Sequence, residues 1–309
     1  MREVAVIGGS RYFGREVVRR LRDAGAKVTV INRGSAPAPP GTAQLVADRD
    51  DARGLAAALG DRTFDVVIDQ VCYTPKQAAV AREVFGGRTA RYVMTSTIEV
   101  YDPADRPAAV RGGEVPLTED AVDPSRQEVR TELPWEDPEF RGRHYAEGKR
   151  QAEAVLSRDP VFAFAAVRSA HVLGGGGADF TGRLRHYLER VGAGRPVDVH
   201  PVNHPSSFTN AHEIADFLVW AAGADFTGAV NACSHGALSV TGLCELIGAR
   251  AGRPPVYREV AADAAQASPF AFDRYYAMDN SRAERLGYRF SHTEDWLPGL
   301  IAQELPEGI

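Results

Sequence analysis

The first fourteen residues narrow the fold more than any other stretch of this chain. An apolar strand spanning Val4 to Ile7 runs into Gly8-Gly9-Ser10-Arg11-Tyr12-Phe13-Gly14, and Arg15-Glu-Val-Val-Arg-Arg-Leu21 follows with apolar residues at helical spacing. A strand covered by helices on both faces reads as an unbroken apolar run. The glycines permit a tight turn, close approach of backbone to a pyrophosphate, and close packing of helix on strand. The helix behind them presents unpaired N–H groups and the positive end of its dipole to an anion. Gly25 closes the helix and a second strand, Lys27-Val-Thr-Val-Ile31, completes a βαβ unit. We therefore expect a dinucleotide cofactor in contact with Gly8, Gly9, Ser10, Arg11, Phe13 and Gly14.

The end of the second strand bears on which dinucleotide. An Asp or Glu there would accept hydrogen bonds from a ribose 2′-hydroxyl and repel a 2′-phosphate; this chain has Asn32-Arg33. With Arg11 in the turn, two guanidinium groups are available to one phosphate, a contact Arg makes in bidentate fashion. The expectation is NADP(H) rather than NAD(H), with Asn32, Arg33 and Asp48 among the cofactor contacts.

Strand and helix patterns then alternate. Strands are expected at 44–47, 64–69, 91–95 and 161–168, and helices near 51–59, 75–85 and 145–157. Such alternation implies a parallel sheet covered by helices, since each parallel crossover needs one. The fold class is α/β, a doubly wound parallel Rossmann sheet with a smaller C-terminal substrate-binding lobe. The boundary is expected near 170, with parts of 205–235 returning to the first domain. A long segment rich in Pro, Gly and charge, 102–143, reads as a lid or loop, and Trp135 within it as a substrate contact. His200 and His204 are separated by Pro201 and flanked by Pro205, which argues against a shared helical face and a metal site there.

The 309 residues carry 36 Lys+Arg against 41 Asp+Glu, a net charge of −5, so no overall basic footprint for nucleic acid is present. No apolar run approaches the length of a membrane span. Cys72, Cys233 and Cys244 are too few and scattered for a disulfide framework or a four-thiolate metal site. A cytoplasmic enzyme acting on a small molecule is expected. The helices at 75–85 and 145–157 carry apolar residues such as Ala79, Val80, Val84, Ala152 and Val155, which would serve a homodimer through a four-helix contact.

The second informative motif is Tyr145-Ala-Glu-Gly-Lys149, where a spacing of four puts both side chains on one helix face. A cation near a phenol favours its ionised form, so Lys149 is expected to lower the pKa of Tyr145. Upstream, Thr95-Ser96-Thr97-Ile98-Glu99-Val100-Tyr101 ends a strand, where ligands bind in open α/β sheets. Ser96 or Thr97 would then hydrogen-bond the substrate oxygen that Tyr145 protonates.

With these motifs the chain resembles the extended short-chain dehydrogenase/reductase superfamily, the NAD-dependent epimerase/dehydratase family, over nearly its whole length. The resemblance implies a catalytic set of Thr97, Tyr145 and Lys149, with Lys149 also holding the nicotinamide ribose. It implies substrate contacts near Ser96, Glu99 and His171. There are departures. Arg11 stands where the extended family usually has glycine, which is more similar to an atypical subgroup. Ile98 replaces the acid Asp of dehydratases, and Arg168-Ser-Ala-His171 and Ser206-Ser-Phe208 replace the residues that clamp a nucleotide-sugar diphosphate. The reading is an NADP(H)-dependent oxidoreductase acting on a carbonyl, alcohol or related group of a small organic molecule. Its rivals are a nucleotide-sugar epimerase or dehydratase with retained NAD(P), and a non-catalytic cofactor-binding or RNA-binding relative.

Overall fold

Residues 2–102, 115–261 and 268–305 are described by the computed structural model. The first half of the chain contains β1 (Glu3–Ile7), α1 (Tyr12–Asp23), β2 (Lys27–Asn32), β3 (Ala43–Val46), α2 (Ala52–Leu59), β4 (Phe64–Asp69), α3 (Pro75–Phe85) and β5 (Thr89–Thr97). Then come α4 (Pro138–Arg143), α5 (Tyr145–Ser157), β6 (Ala163–Ser169), β7 (His171–Leu173), α6 (Arg183–Gly192), β8 (Val197–Val199), β9 (Phe208–Asn210) and α7 (Ala211–Gly223). The chain closes with β10 (Gly228–Ala232), α8 (Val240–Ala251), β11 (Tyr257–Glu259), α9 (Ser281–Arg285) and α10 (Thr293–Glu304).

Seven strands form one parallel sheet in the order β10-β6-β5-β4-β1-β2-β3. The order reverses between β1 and β4, and the crevice at such a switch point is where ligands bind in these sheets. The apolar run of β1 has a physical reason. Val4 and Val6 face a core shared with α1 and α7, while Ala5 and Ile7 face a second core shared with α2, α3 and α5. Strand β4 divides likewise, Val66 and Ile68 to the first core, Phe64 and Val67 to the second. Helix starts follow local chemistry: Thr74 Oγ1 accepts from Gln77 N at 3.2 Å with Pro75 in the first turn of α3, and Asn210 caps α7.

Two elements from late in the chain complete the sheet layer, α7 against α1 and β10 beside β6. A separate core joins α6, α8 and α10 with Phe208 and Phe270. The sequence reading missed β7, β8, β9 and β11, each three residues long and paired β7 with β9 and β8 with β11. Three residues carry no readable period, and their partners lie far along the chain.

The segment expected to be a lid or loop, 102–143, is described in part. Residues 103–114 lie outside the described residues, and 122–135 packs on α5 rather than over the cleft. Every residue of α5 from Gly148 to Ala154 is buried, so over that span the helix has no solvent face. Arg130 N donates to Gln151 Oε1 at 2.7 Å, and Arg158 Nη2 donates to the carbonyls of Pro124 and Ser125 at 3.0 Å. That stretch of α5 packs within this chain, while Val155 stays half-exposed. Among the described residues of 102–143, Asp102 and, through Arg141, Gly142 and Arg143, α4 reach the cleft.

Candidate active site

A cleft of about 980 Å³ opens along the carboxyl ends of the strands, at the upper end of the size range of ligand pockets. One end is built by the glycine turn. Gly8 and Gly9 have φ of +94° and +78°, a region side chains rarely enter. A Cβ on Gly9 would lie 2.8 Å from Val18 Cγ2 and 2.9 Å from Val6 Cγ1, and one on Gly14 would lie 2.2 Å from Gln70 Oε1. The turn therefore fits a backbone that must approach a ligand closely. Helix α1 behind it has no side-chain cap and no acidic residue in its first turn, leaving its N–H groups and dipole for an anion. These features fit a dinucleotide pyrophosphate.

Gly8, Gly9, Ser10, Arg11, Phe13, Gly14, Asn32, Arg33 and Asp48 all line this end. Asn32 is fully committed: Nδ2 donates to Ser10 Oγ at 2.8 Å and Oδ1 accepts from Gly34 N and Gln44 Nε2, each at 2.9 Å. Arg11 and Arg33 are exposed at its edge. Sequence reasoning overlooked Arg49 and Gln70. Arg49 is buried and bonded to Asp69, which also accepts from Tyr92 OH at 2.5 Å. Gln70 follows the carboxyl end of β4, a position the strand pattern alone marks as cleft-lining.

Thr97, Tyr145 and Lys149 meet at the middle of the cleft. Thr97 Oγ1 accepts from Glu99 N at 3.2 Å, and the Thr97 hydroxyl favours the ionised form of the Tyr145 phenol. Burial is the larger effect and holds the phenol well above the ordinary tyrosine value, with Tyr73 and Glu99 raising it further. The expected lowering by Lys149 is not what the structure shows. The lysine Nζ donates to Thr95 O at 2.7 Å and lies 4.7 Å from the centroid of the Tyr73 ring, against 5.9 Å for Tyr145. Its charge is spent on a carbonyl and a neighbouring π face. Tyr73, also unanticipated, is fixed by its backbone N–H bond to Gln77 Oε1 at 2.7 Å.

Burial lowers the Lys149 pKa to about 8. The unfolded chain keeps its proton to higher pH, so the buried ammonium opposes folding at neutral pH, and that opposition is relieved as pH rises through about 8. The chain has three lysines, Lys27, Lys76 and Lys149. In a Lys27→Arg/Lys76→Arg variant, the single side-chain resonance of isotope-labelled lysine is expected to titrate near pH 8. A midpoint near the ordinary lysine value would place the ammonium in solvent.

At the substrate end, Glu99 and His171 line the cleft and two other expectations fail. Ser96 also lines it, but its hydroxyl donates to Glu153 Oε1 at 2.5 Å and is not free for substrate. Trp135 lies outside the cleft, 2% exposed, with Nε1 donating to Arg130 O at 2.7 Å and its ring beside Phe140 and above Gly148. An aromatic on a polar segment here anchors that segment. Burial raises the Glu99 pKa, while Tyr276 OH donates to its Oε2 at 3.1 Å. His171 packs among Phe208, Phe270, Phe272 and Tyr276, and burial lowers its pKa to about 3, so the ring is neutral. Arg183 completes this wall, and nothing in its local sequence marked it.

No protein-family model matches the chain, and no curated protein matches it by sequence. Solved structures do match. A short-chain dehydrogenase/reductase superfamily protein from Agrobacterium tumefaciens, with bound NAD, has a TM-score of 0.73 at 16% identity, over 98% of this chain and 96% of that one. The UDP-glucose 4-epimerase of Thermotoga maritima, with UDP-glucose, has a TM-score of 0.72 at 15% identity over 98% of both chains. That of Thermus thermophilus, a complex with NAD, has a TM-score of 0.67 at 17% identity over 99% of this chain and all of that one. From end to end, the chain has the fold shared by the extended short-chain dehydrogenase/reductases and UDP-sugar epimerases.

Proposed function

We propose that this protein is a nicotinamide-dependent oxidoreductase acting on a carbonyl or alcohol group of a small organic molecule, with NADP(H) as cofactor. The observation that carries the reading is the meeting of Tyr145, Thr97 and Lys149 in a cleft whose far end is a glycine turn and an uncapped helix N-terminus. The bound cofactor supplies or accepts the hydride that no side chain can. The glycine turn and α1 would hold its phosphates, and Lys149, as the resemblance implies, its nicotinamide ribose. Tyr145, kept protonated by its desolvated surroundings, donates to the substrate oxygen, with Thr97 beside it in the cleft to bond the same oxygen.

Asn32 favours NADP(H), because its oxygen is already saturated and it puts no carboxylate at the end of β2 to repel a 2′-phosphate. Charge-assisted contacts contribute about 1.5–3 kcal/mol each, so NADPH is expected to bind roughly tenfold or more tighter than NADH. Arg33→Ala should remove most of that margin and leave NADH affinity unchanged. Calorimetric titration of both nucleotides checks this, and equal wild-type affinities would assign the site to NAD, which the bacterial neighbours hold.

A second reading, a nucleotide-sugar epimerase, draws on the epimerase neighbours. Against it, Ser207 is buried and accepts from Met278 N at 2.9 Å where epimerases place an arginine, and Arg168 is committed to the core. Tightly bound nicotinamide cofactor in the purified protein would favour the epimerase; exchange at each turnover favours the reductase.

A further inference from the structure

The substrate end of the cleft carries a cation, Arg183, that no carboxylate among the described residues pairs with. Arg183, half-buried at the start of α6, lines the cleft with its guanidinium 5.5 Å from the Phe270 ring centroid. Its side-chain hydrogen bond among the described residues is a long one, Nε to Thr181 Oγ1 at 3.4 Å, and no carboxylate of those residues lies within ion-pair distance. The neighbouring carboxylates are engaged elsewhere. Asp102 pairs with Arg274 at 3.0 Å, Asp179 accepts from Thr181 N and Oγ1 at 2.8 and 2.6 Å, and Glu99 accepts from Tyr276.

Arg183 faces the reacting groups. Its charge acts on Tyr145, Glu99 and His171, three residues from separate elements that converge on this end of the cleft. Helix α6 adds to the positive wall, since Gly182 provides no capping side chain and its first turn has no acidic residue. Behind it lies His171, 3% exposed, neutral, and with Nε2 buried and without a partner among the described residues. A single guanidinium matches the two oxygens of one carboxylate in bidentate fashion. A diphosphate would call for a further cation, and where the resemblance places an epimerase arginine before Phe208 this chain has the buried Ser207.

We propose that the substrate carries a carboxylate close to its reacting carbon, held by the Arg183 guanidinium and the first-turn N–H groups of α6, with the buried His171 closing the subsite. The substrate class is then a small oxo- or hydroxy-carboxylate, which rests on the oxidoreductase reading above.

The test is calorimetric titration of the NADP-loaded protein with acetoacetate and benzoate, their methyl esters, inorganic phosphate and UDP. The carboxylates should bind, and each ester should bind about tenfold or more weakly, the scale of one charged contact. Arg183→Gln should lose carboxylate affinity by a similar factor while keeping NADP affinity, which also reports correct folding. Arg183→Lys should recover part of it. Tyr145→Phe should keep carboxylate affinity, so a failure of the proton-transfer assignment leaves this subsite standing. Failure of both carboxylates to bind, esters binding as tightly as acids, or an unchanged Arg183→Gln overturns the proposal. So does tight binding of UDP through Arg183, which would place a nucleotide diphosphate there.

Discussion

Tyr145→Phe is expected to lower single-turnover hydride transfer by about 10²–10⁴-fold while cofactor affinity stays near wild type, the loss typical of removing a general acid. The substitution takes away one oxygen and keeps the ring, which is half-buried beside Tyr73 with centroids 6.1 Å apart. Packing therefore survives and the proton does not. Because burial holds the phenol protonated, the reduction direction should stay active across the neutral range, without a loss traceable to Tyr145 ionisation. The measurement is NADPH oxidation in one turnover, with cofactor titration of the same variant. Wild-type rates in Tyr145→Phe would move the proton donor to Glu99, whose carboxyl burial also favours the protonated form.

The largest stability effect is expected at a pair that touches no ligand. Arg168 and Glu153 are both fully buried and joined at 2.7 Å, with Ser96 Oγ on the same carboxylate. Arg168 also donates to Glu119 O at 2.7 Å, Val122 O at 3.1 Å and Tyr101 OH at 3.0 Å. It thereby ties α5, the end of β5 and the 119–122 segment to β6. Arg168→Ala leaves Glu153 charged and unpaired in the core, at a cost of about 3–5 kcal/mol. Replacing both residues by apolar ones of similar volume, Arg168→Met with Glu153→Leu, should recover much of that loss, since the burial of two charges is removed together. Denaturant unfolding of the single and double variants decides it; a single variant within about 1 kcal/mol of wild type would mean that solvent reaches the pair.

Local pattern determined the layout of the sheet. The run Val4 to Ile7, the glycine turn and the spacing of Tyr145 and Lys149 are written within a few residues, and period and turn chemistry act at that range. Helix α3 accordingly falls where its Thr74 cap and Pro75 place it, and α5 begins at Tyr145 as its motif leads one to expect. Cleft residues at strand ends, such as Thr97 and Glu99, were legible for the same reason. Tertiary structure decided what each polar group does once there. Lys149 Nζ meets the carbonyl of Thr95, Ser96 meets Glu153, Trp135 packs over Gly148, and Arg183 is left facing the cleft without a counter-charge. Each outcome depends on segments brought together across tens of residues, where the desolvation of a charge and the nearest competing acceptor fix its partner. Neither quantity has a signature in the local sequence.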